Sequence, residues 1–407
     1  MNSTRQKCDA PISGKKTTLD ETKAQLQGEL AVFKILYTNA QSVKNKKHEL
    51  IALVREKDPV IICTTESWTY SDITDAEIKI PGYDLKVRRD RLDTTRGIGG
   101  GILVWTKEGL NAREITSPEL DGFNQAVGIS VMVEDEEQKR RPLDLFVIYR
   151  PHKLYSDNKD SLSVNDQKLN SLMLGKKNPT IWVGDFNMKD IDWNLMTGKN
   201  NNEKNFILAT QDAFLKQYVD FPTRDKSILD LVFSNETDRI LRVTGAGKIG
   251  KSDHEALEVT VLGKQHVKEV KRELLDWPKA DTEALKAKLS SYDWEEDIKA
   301  NGVESAWKLI RDRLLKAQTE TVPQKEMKNK NNPGWLTRDV KKAMRKKQRR
   351  WNTSKKYGGE DNRKRYMDEV KATQKAIRDG RRSQEERVAR DAKKNPKILW
   401  SYIKSKQ

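Results

Sequence analysis

Residues 180–187 read TIWVGDFN, an apolar, β-branched run closed by Gly184, Asp185, Phe186 and Asn187. A short apolar run bounded by turn-forming residues is the pattern of a buried strand. The end of such a strand is a rigid place from which to present a polar group. The same pattern recurs on both sides. Upstream stand VFKILYT at 32–38, PVIICTT at 59–65, GGILVW at 100–105, QAVGISVMV at 125–133 and LDLFVIY at 143–149; downstream stand ILDLVFS at 228–234 and EALEVTV at 255–261. Between them, Val43, Leu50, Ile51 and Val54 share a helical face over 43–56, a second helix is predicted over 160–174, and Leu208, Leu215 and Val219 align over 203–219. Strands that outnumber helices predict an α/β fold of two packed sheets flanked by helices rather than a strict βαβ alternation.

Polar groups sit at the ends of these strands. Asn39 follows FKILYT, Glu66 follows IICTT, Tyr149 and Arg150 close LFVIYR, and Ser252, Asp253 and His254 immediately precede EALEVTV. Asp230 is buried by its own pattern. In ILDLVFS, Leu229, Leu231 and Phe233 take one face, while Asp230 lies between Ile228 and Val232 on the other. A carboxylate flanked by apolar neighbours is costly to bury without a donor or cationic partner, and His254 is the natural one.

This collection suits metal-assisted hydrolysis of a phosphodiester. Carboxylate and amide oxygens are the ligands of Mg²⁺, with Mn²⁺ as a second fit. Glu66 is expected to hold the metal, with Asn39 and Asp253 close to it or to its waters. Asp185 is expected to orient and deprotonate the attacking water. His254, oriented by Asp230, would join Asn187 and Tyr149 in binding the phosphoryl oxygens. A Ser/His/Asp hydrolase built on Ser252 is the weaker reading. The sequence has no G-x-S-x-G elbow, and a serine two positions before its own histidine presents its hydroxyl poorly to that ring.

Charge divides the chain. Of its 407 residues, 78 are Lys or Arg and 61 Asp or Glu, a formal net charge of +17. Residues 1–270 hold 40 basic and 40 acidic residues, 271–320 hold 10 and 11, and 321–407 hold 28 and 10. The excess therefore lies wholly in a final segment expected to seek polyanions. Past Gly263 the strand pattern stops, and Trp277, Trp294, Trp307, Trp335, Trp351 and Trp400 punctuate helical, basic sequence. Its apolar faces are sparse, so these helices are expected to pack weakly on their own. Residues 1–30 lack apolar periodicity and read as a disordered leader. No apolar run approaches the roughly 18 residues of a membrane helix, and the first thirty residues hold no hydrophobic core of a secretion signal. Cys8 and Cys63 are too few for a disulfide framework, and His48, His152, His254 and His266 are too scattered for a histidine-rich metal cluster.

In order along the chain, TNAQS with Asn39, TESW with Glu66, YRP with Tyr149, GDFN with Asp185 and Asn187, LDLV with Asp230 and SDH with Asp253 and His254 resemble the exonuclease–endonuclease–phosphatase superfamily, the fold of deoxyribonuclease I and the AP endonucleases. More narrowly, the whole resembles the endonuclease domain and linker of jockey-like or chicken-repeat-like non-LTR retrotransposon polyproteins. The resemblance implies a four-layer α/β sandwich of two mixed sheets over residues 31–264. A basic, Trp-punctuated helical linker over 265–407 would follow. Phe or Tyr followed by x-Asp-Asp does not occur, so polymerase activity is not expected.

The implied activity is nicking of double-stranded DNA to leave a 3′-hydroxyl and a 5′-phosphate, and a chromosomal substrate implies the nucleus. Arg150 and His152 would touch the DNA, and Arg345, Lys346, Lys347, Arg349 and Arg350 would bind nucleic acid, RNA included. Gln41 stands where AP endonucleases usually carry Asp, and His152 where they usually carry Asn, which argues against efficient repair of abasic sites. Two other readings stay open: a remnant that binds nucleic acid without cutting it, and a phosphoinositide-type phosphatase of the same fold. Nothing in the sequence fixes an oligomeric state.

Overall fold

Along β1 (Val32–Asn39) the residues Phe33, Ile35 and Tyr37 enter one apolar cluster and Leu36 enters another. That split is the two-residue alternation of a strand covered on both faces. The computed structural model describes residues 31–91, 99–121, 123, 125–135, 137–151, 159–267, 273–299, 302–326 and 333–404. The leader expected over 1–30 lies outside them.

Two large sheets form among the described residues. Sheet 1 runs, in spatial order, β11 (Ile240–Gly247), β12 (Ala256–Leu262), β1, β2 (Ile61–Thr65), β4 (Ile102–Lys107) and β3 (Tyr83–Arg89). Sheet 2 runs β13 (Lys264–Gln265), β6 (Ala126–Glu134), β7 (Arg140–Tyr149), β8 (Thr180–Asp185), β10 (Asp230–Ser234) and β9 (Lys216–Gln217), with β5 (Ala112–Glu114) paired to β6. Both are mixed: β1 is parallel to β2 and β7 to β8, while the remaining pairs are antiparallel. Ile35, Val104, Val147, Val183 and Val232 fill the space between the sheets.

Register gathers the strand ends. Tyr149 lies opposite Asp185 across β7 and β8, Asp230 lies opposite Asp185 across β10 and β8, and Asn39 is the last residue of β1. The outer face of sheet 2 is closed by α3 (Lys159–Met173) and α4 (Asn201–Asp212), through Leu169, Leu172 and Phe206 packed with Phe146, Trp182, Phe186 and Phe233. The helix expected over 203–219 ends early, at Asp212. Phe214 adopts a left-handed φ of 53°, which breaks the helical path, and the chain turns into β9. Leu215 still packs on the aromatic cluster, but Val219 crosses to the inter-sheet core.

On the outer face of sheet 1 lies α1 (Val43–Lys57), followed by the short capped helix α2 (Asp75–Ile78). The segment read from composition as one stretch, 265–407, is divided in the structure. Met1–Val267 and Asn332–Gln407 form one compact unit, and Lys268–Asn331 forms another. Within the first unit, α8 (Arg338–Tyr357) and α9 (Glu360–Ala392) pack on each other, joined by Gly358 and Gly359 at φ of 62° and 83°. Trp335, Leu336, Val340, Met344 and Ile377 enter the same cluster as Leu36, Leu50, Val54, Ile62 and Trp105. Sparse apolar faces thus find a large partner surface on the sandwich. A final helix, α10 (Pro396–Lys404), packs on α9.

The second unit pairs β14 (Glu273–Leu275) with β15 (Gln324–Glu326) and packs α5 (Thr282–Ser290) against α7 (Val303–Thr321), with α6 (Trp294–Lys299) between them in sequence. Lys288 and Glu320 pair at 2.9 Å across α5 and α7. No helix among the described residues is long and apolar enough to cross a membrane.

Candidate active site

Asp230 and His254 are both fully buried, and His254 Nδ1 lies 2.8 Å from Asp230 Oδ2. The other carboxylate oxygen of Asp230 accepts the Tyr37 hydroxyl at 2.9 Å, and its backbone N–H donates to Thr223 Oγ1 at 3.0 Å. Hydrogen bonds to both oxygens offset the cost of taking this carboxylate out of water at the rim of an apolar core. His254 Nε2 is buried without a hydrogen-bond partner, 3.9 Å from Asp185 Oδ2 and 3.8 Å from Asp253 Oδ1.

Asn39 joins the second half of the site. Its Nδ2 donates to Asp185 Oδ2 at 2.8 Å and to Glu66 Oε1 at 3.0 Å, while its Oδ1 is buried with no partner. Trp68 Nε1 donates to Glu66 Oε2 at 3.3 Å. Asn187 N–H donates to Asp185 Oδ1 at 3.1 Å, and Asn187 Nδ2 to the Arg150 carbonyl at 2.7 Å. Gln41, Glu66 and Asn187 all hold left-handed backbone, with φ of 44°, 46° and 50°. Such conformations cost on the order of 1–3 kcal/mol each in non-glycine residues and persist where surrounding contacts enforce them. Here Ser42 and Val43 donate backbone N–H groups to the carbonyls of Glu66 and Ser67, which locks two of the turns together.

Electrostatics separates the two halves. Burial, reinforced by Asp230 and Glu66 against the opposing pull of His254, raises the Asp185 carboxyl to about 7. Burial alone would lower His254, but Asp230, with Asp185 and Asp253 behind it, outweighs burial and raises the imidazole to about 9. Burial and the same two aspartates hold the Tyr37 hydroxyl well above its ordinary range, so it stays a donor. At neutral pH His254 is therefore an imidazolium, with one N–H on Asp230 and the other free to meet an anion.

Asp185, Asp230 and His254 each bring a ligand atom within 4.8 Å of the others, a buried cluster able to hold a metal ion. A protonated imidazole cannot ligate, however, and Asp230 is already engaged on both oxygens. The unpartnered Asn39 Oδ1, between Glu66 and Asp185, is the better cation-facing group. Asp253 stands apart from it: Oδ1 accepts Gln41 Nε2 at 2.7 Å and Oδ2 pairs with Arg224 Nε at 2.7 Å. Ser252 is buried and donates to the Asn39 carbonyl at 2.9 Å, so its hydroxyl ties the two halves together instead of facing His254 as a nucleophile.

Residues 143–258, which carry Tyr149, Asp185, Asn187, Asp230, Asp253 and His254, match the family model Exo_endo_phos_2, described as endonuclease-reverse transcriptase. The match runs from within β7 into β12 and so takes in the strand ends that carry Asp185, Asp230 and His254. Among solved structures, the chain is similar to the AP endonuclease LMAP from Leishmania major, with 14% identity, 62% of this chain and 92% of that chain covered, and a TM-score of 0.45. The catalytic domain of Xenopus laevis APE2 is 15% identical, with coverages of 57% and 93% and a TM-score of 0.46. The endonuclease domain of TRAS1, a telomere-specific non-LTR retrotransposon, is 16% identical, with coverages of 56% and 98% and a TM-score of 0.41. No curated protein matches the sequence.

Several residues expected to contact nucleic acid are engaged inside the fold. Arg150 is buried, and its guanidinium forms a two-pronged pair with Asp166 of α3 at 2.6 and 2.9 Å. It anchors that helix to the end of β7, with its charge paired inside the fold. Lys347 is likewise inside, 2.6 Å from Glu49 of α1. Helical rotation explains the correction: Lys347 follows Val340 and Met344 around the buried stripe, whereas Arg345, Lys346 and Arg349 face solvent and Arg350 is half-buried. Lys346 pairs with Glu369 on α9 at 2.6 Å. His152 lies outside the described residues.

Tyr149 is half-buried beside Asp185 in the register of sheet 2. The sequence reading missed Tyr37 and Thr223. Tyr37 shares the strand face of Phe33 and Ile35 and ends in a hydroxyl that requires an acceptor, which alternation alone could have flagged. Thr223 sits in a loop with no sequence signal.

Proposed function

We propose that this domain is a divalent-metal-dependent endonuclease that hydrolyses a phosphodiester in double-stranded DNA. The observation that carries the reading is the pair of unpartnered buried atoms: Asn39 Oδ1, an acceptor beside two carboxylates, and His254 Nε2, a donor beside them. An acceptor among anions suits a cation, and a buried cationic donor suits a phosphoryl oxygen.

Glu66 and Asn39 would hold the ion, which we take to be Mg²⁺, with Asp253 reaching its waters. Bound there, the ion would neutralise charge that builds on the phosphate. The rest of the chemistry belongs to side chains. Asp185, poised near neutrality, takes a proton from water as the water oxygen bonds to phosphorus. The bond from phosphorus to the 3′-oxygen breaks, and that oxygen leaves as a hydroxyl once protonated, with the phosphate kept on the 5′ end. His254 donates from Nε2 to a phosphoryl oxygen, while Asp230 and Tyr37 fix its ring. Asn187 and Tyr149 border the same phosphate. The exposed basic residues of α8 would add sequence-independent attraction to the backbone of DNA or RNA. A chromosomal substrate puts the protein in the nucleus.

The test is supercoiled-plasmid nicking with Mg²⁺, with EDTA, and by Asp185→Ala and His254→Ala variants. Metal-dependent nicking lost in both variants is the expected result. Undiminished cleavage by Asp185→Ala, or phosphate release from phosphoinositides without nicking, would overturn the assignment.

A further inference from the structure

The loop that delivers Asp253 and His254 is held from outside the sandwich, by α8. Gly247, at φ of 88°, lies against the Gln348 side-chain amide, which would have to shift to admit a Cβ. Lys347 Nζ donates to the Lys248 carbonyl at 3.1 Å and to Glu49 Oε2 at 2.6 Å, and that same Glu49 oxygen accepts the Gly250 N–H at 2.9 Å. The Lys248 ammonium sits 4.4 Å above the Trp351 ring. Beyond the histidine, Glu255 is 2% exposed, with Trp351 Nε1 donating to Oε1 at 3.2 Å and Lys355 Nζ to Oε2 at 2.6 Å. The Glu255 backbone N–H donates to the Thr223 carbonyl, whose side chain receives the Asp230 N–H.

Closing the apolar layer requires only Trp335, Leu336, Val340 and Met344. The polar side chains of α8 converge instead on residues 247, 248, 250 and 255, on both sides of Asp253 and His254. A buried carboxylate such as Glu255 is stable only with donors, and both of its side-chain donors come from this helix. We infer that Trp351 and Lys355, acting through Glu255, and Lys347, acting through Lys248 and Glu49, are positioning residues that set His254 against the scissile phosphate. The kinetic part of this inference rests on the reaction proposed above; the structural part does not.

The experiment uses the full-length chain carrying Trp351→Phe with Lys355→Met, read by amide hydrogen exchange and by plasmid nicking. Loss of the two side-chain hydrogen bonds should speed exchange across 247–255 by about tenfold or more, with β8 unchanged. Misplacement of the histidine should lower kcat about 10- to 100-fold with KM for plasmid nearly constant. Lys355→Arg should retain wild-type values of both, and Gln211→Ala, on the exposed side of α4, should alter neither.

Unchanged exchange overturns the inference whatever the activity, and so does faster exchange at constant kcat, or a loss confined to KM. A wild-type chain that fails to nick sinks the reaction; exchange then still decides whether α8 orders the loop. Should the double variant fail to fold, Lys355→Met alone carries the same readouts, because it removes the donor to Glu255 Oε2 and leaves the Trp351 donor to Oε1 in place.

Discussion

The space between the two sheets and the space between sheet 1 and α8 are filled by different chemistry. Between the sheets, Ile35, Val104, Val147 and Val183 meet no charge until the rim, where Asp185, Asp230 and His254 stand together. Under α8, apolar side chains share the layer with ion pairs, Lys347 to Glu49 and Lys355 to Glu255. In the first region charge is confined to the place where chemistry is done. In the second it fixes which helix lies where, because the buried carboxylates Glu49 and Glu255 find their cations on α8.

The largest effect that tests this contrast is at the rim. Asp185→Asn keeps the shape and removes the base, and nicking should fall about 10²- to 10⁴-fold; a variant within threefold of wild type would show that the rim charges are structural like those under α8. Next comes Lys347→Met, which leaves Glu49 buried and unpaired and should lower the free energy of unfolding by about 3–5 kcal/mol in urea titration. An unchanged urea midpoint would mean that the helical layer is held by apolar contact alone. Arg150→Met should cost a similar amount for the same reason, since Asp166 is also buried. It should leave the salt dependence of DNA binding untouched, and a changed salt slope would return Arg150 to the DNA surface.

Acidity sharpens the rim side further. Asp185 must lose a proton and His254 must keep one, so kcat/KM should rise through about pH 7 and fall through about pH 9. Raising the Mg²⁺ concentration should move the acid limb to lower pH, because a cation favours the ionised carboxylate. The stability signs follow. Both groups have folded values above their ordinary 3.8 and 6.5, so the native state holds more protons than the unfolded one. Stability should therefore decline as pH rises, between about 4 and 7 from Asp185 and between about 6.5 and 9 from His254. A flat activity profile between pH 6 and 9 would count against both assignments. The smallest expected effect is Arg345→Gln on the exposed face of α8, which should reduce the slope of log affinity against log salt by about 0.9 if it meets one phosphate. Stability should not change.

Much of the sandwich was legible because alternation in a strand is a local property. VFKILYT, TIWVGD and EALEVTV announce themselves as strands within seven residues, and the polar residues at their ends follow directly. Short edge elements such as β9 and β13 carry no such signal, and the helix expected over 203–219 failed at Phe214, where a backbone reversal overrode a helical pattern. Asp230 declared its need for a partner through its apolar neighbours, and alternation turns the Tyr37 hydroxyl inward, but the acceptor it meets lies 193 positions further along the chain. The basic residues of α8 were least legible. A charge count assigns the same meaning to Lys346 and Lys347, and only the 100° turn between them, together with a glutamate almost 300 positions earlier, tells which one faces water.

The docking of α8 also has a consequence for biosynthesis. Leu36, Leu50 and Trp105 are translated long before Trp335 and Met344, the residues that cover them. From the end of β12 at Leu262 to Met344 a ribosome moving at roughly 5–20 residues per second needs several seconds. Throughout that interval the nascent sandwich presents an uncovered apolar face and a loop at 247–255 without its outer supports. The rim therefore matures late, after the helix that follows it in the message has been made.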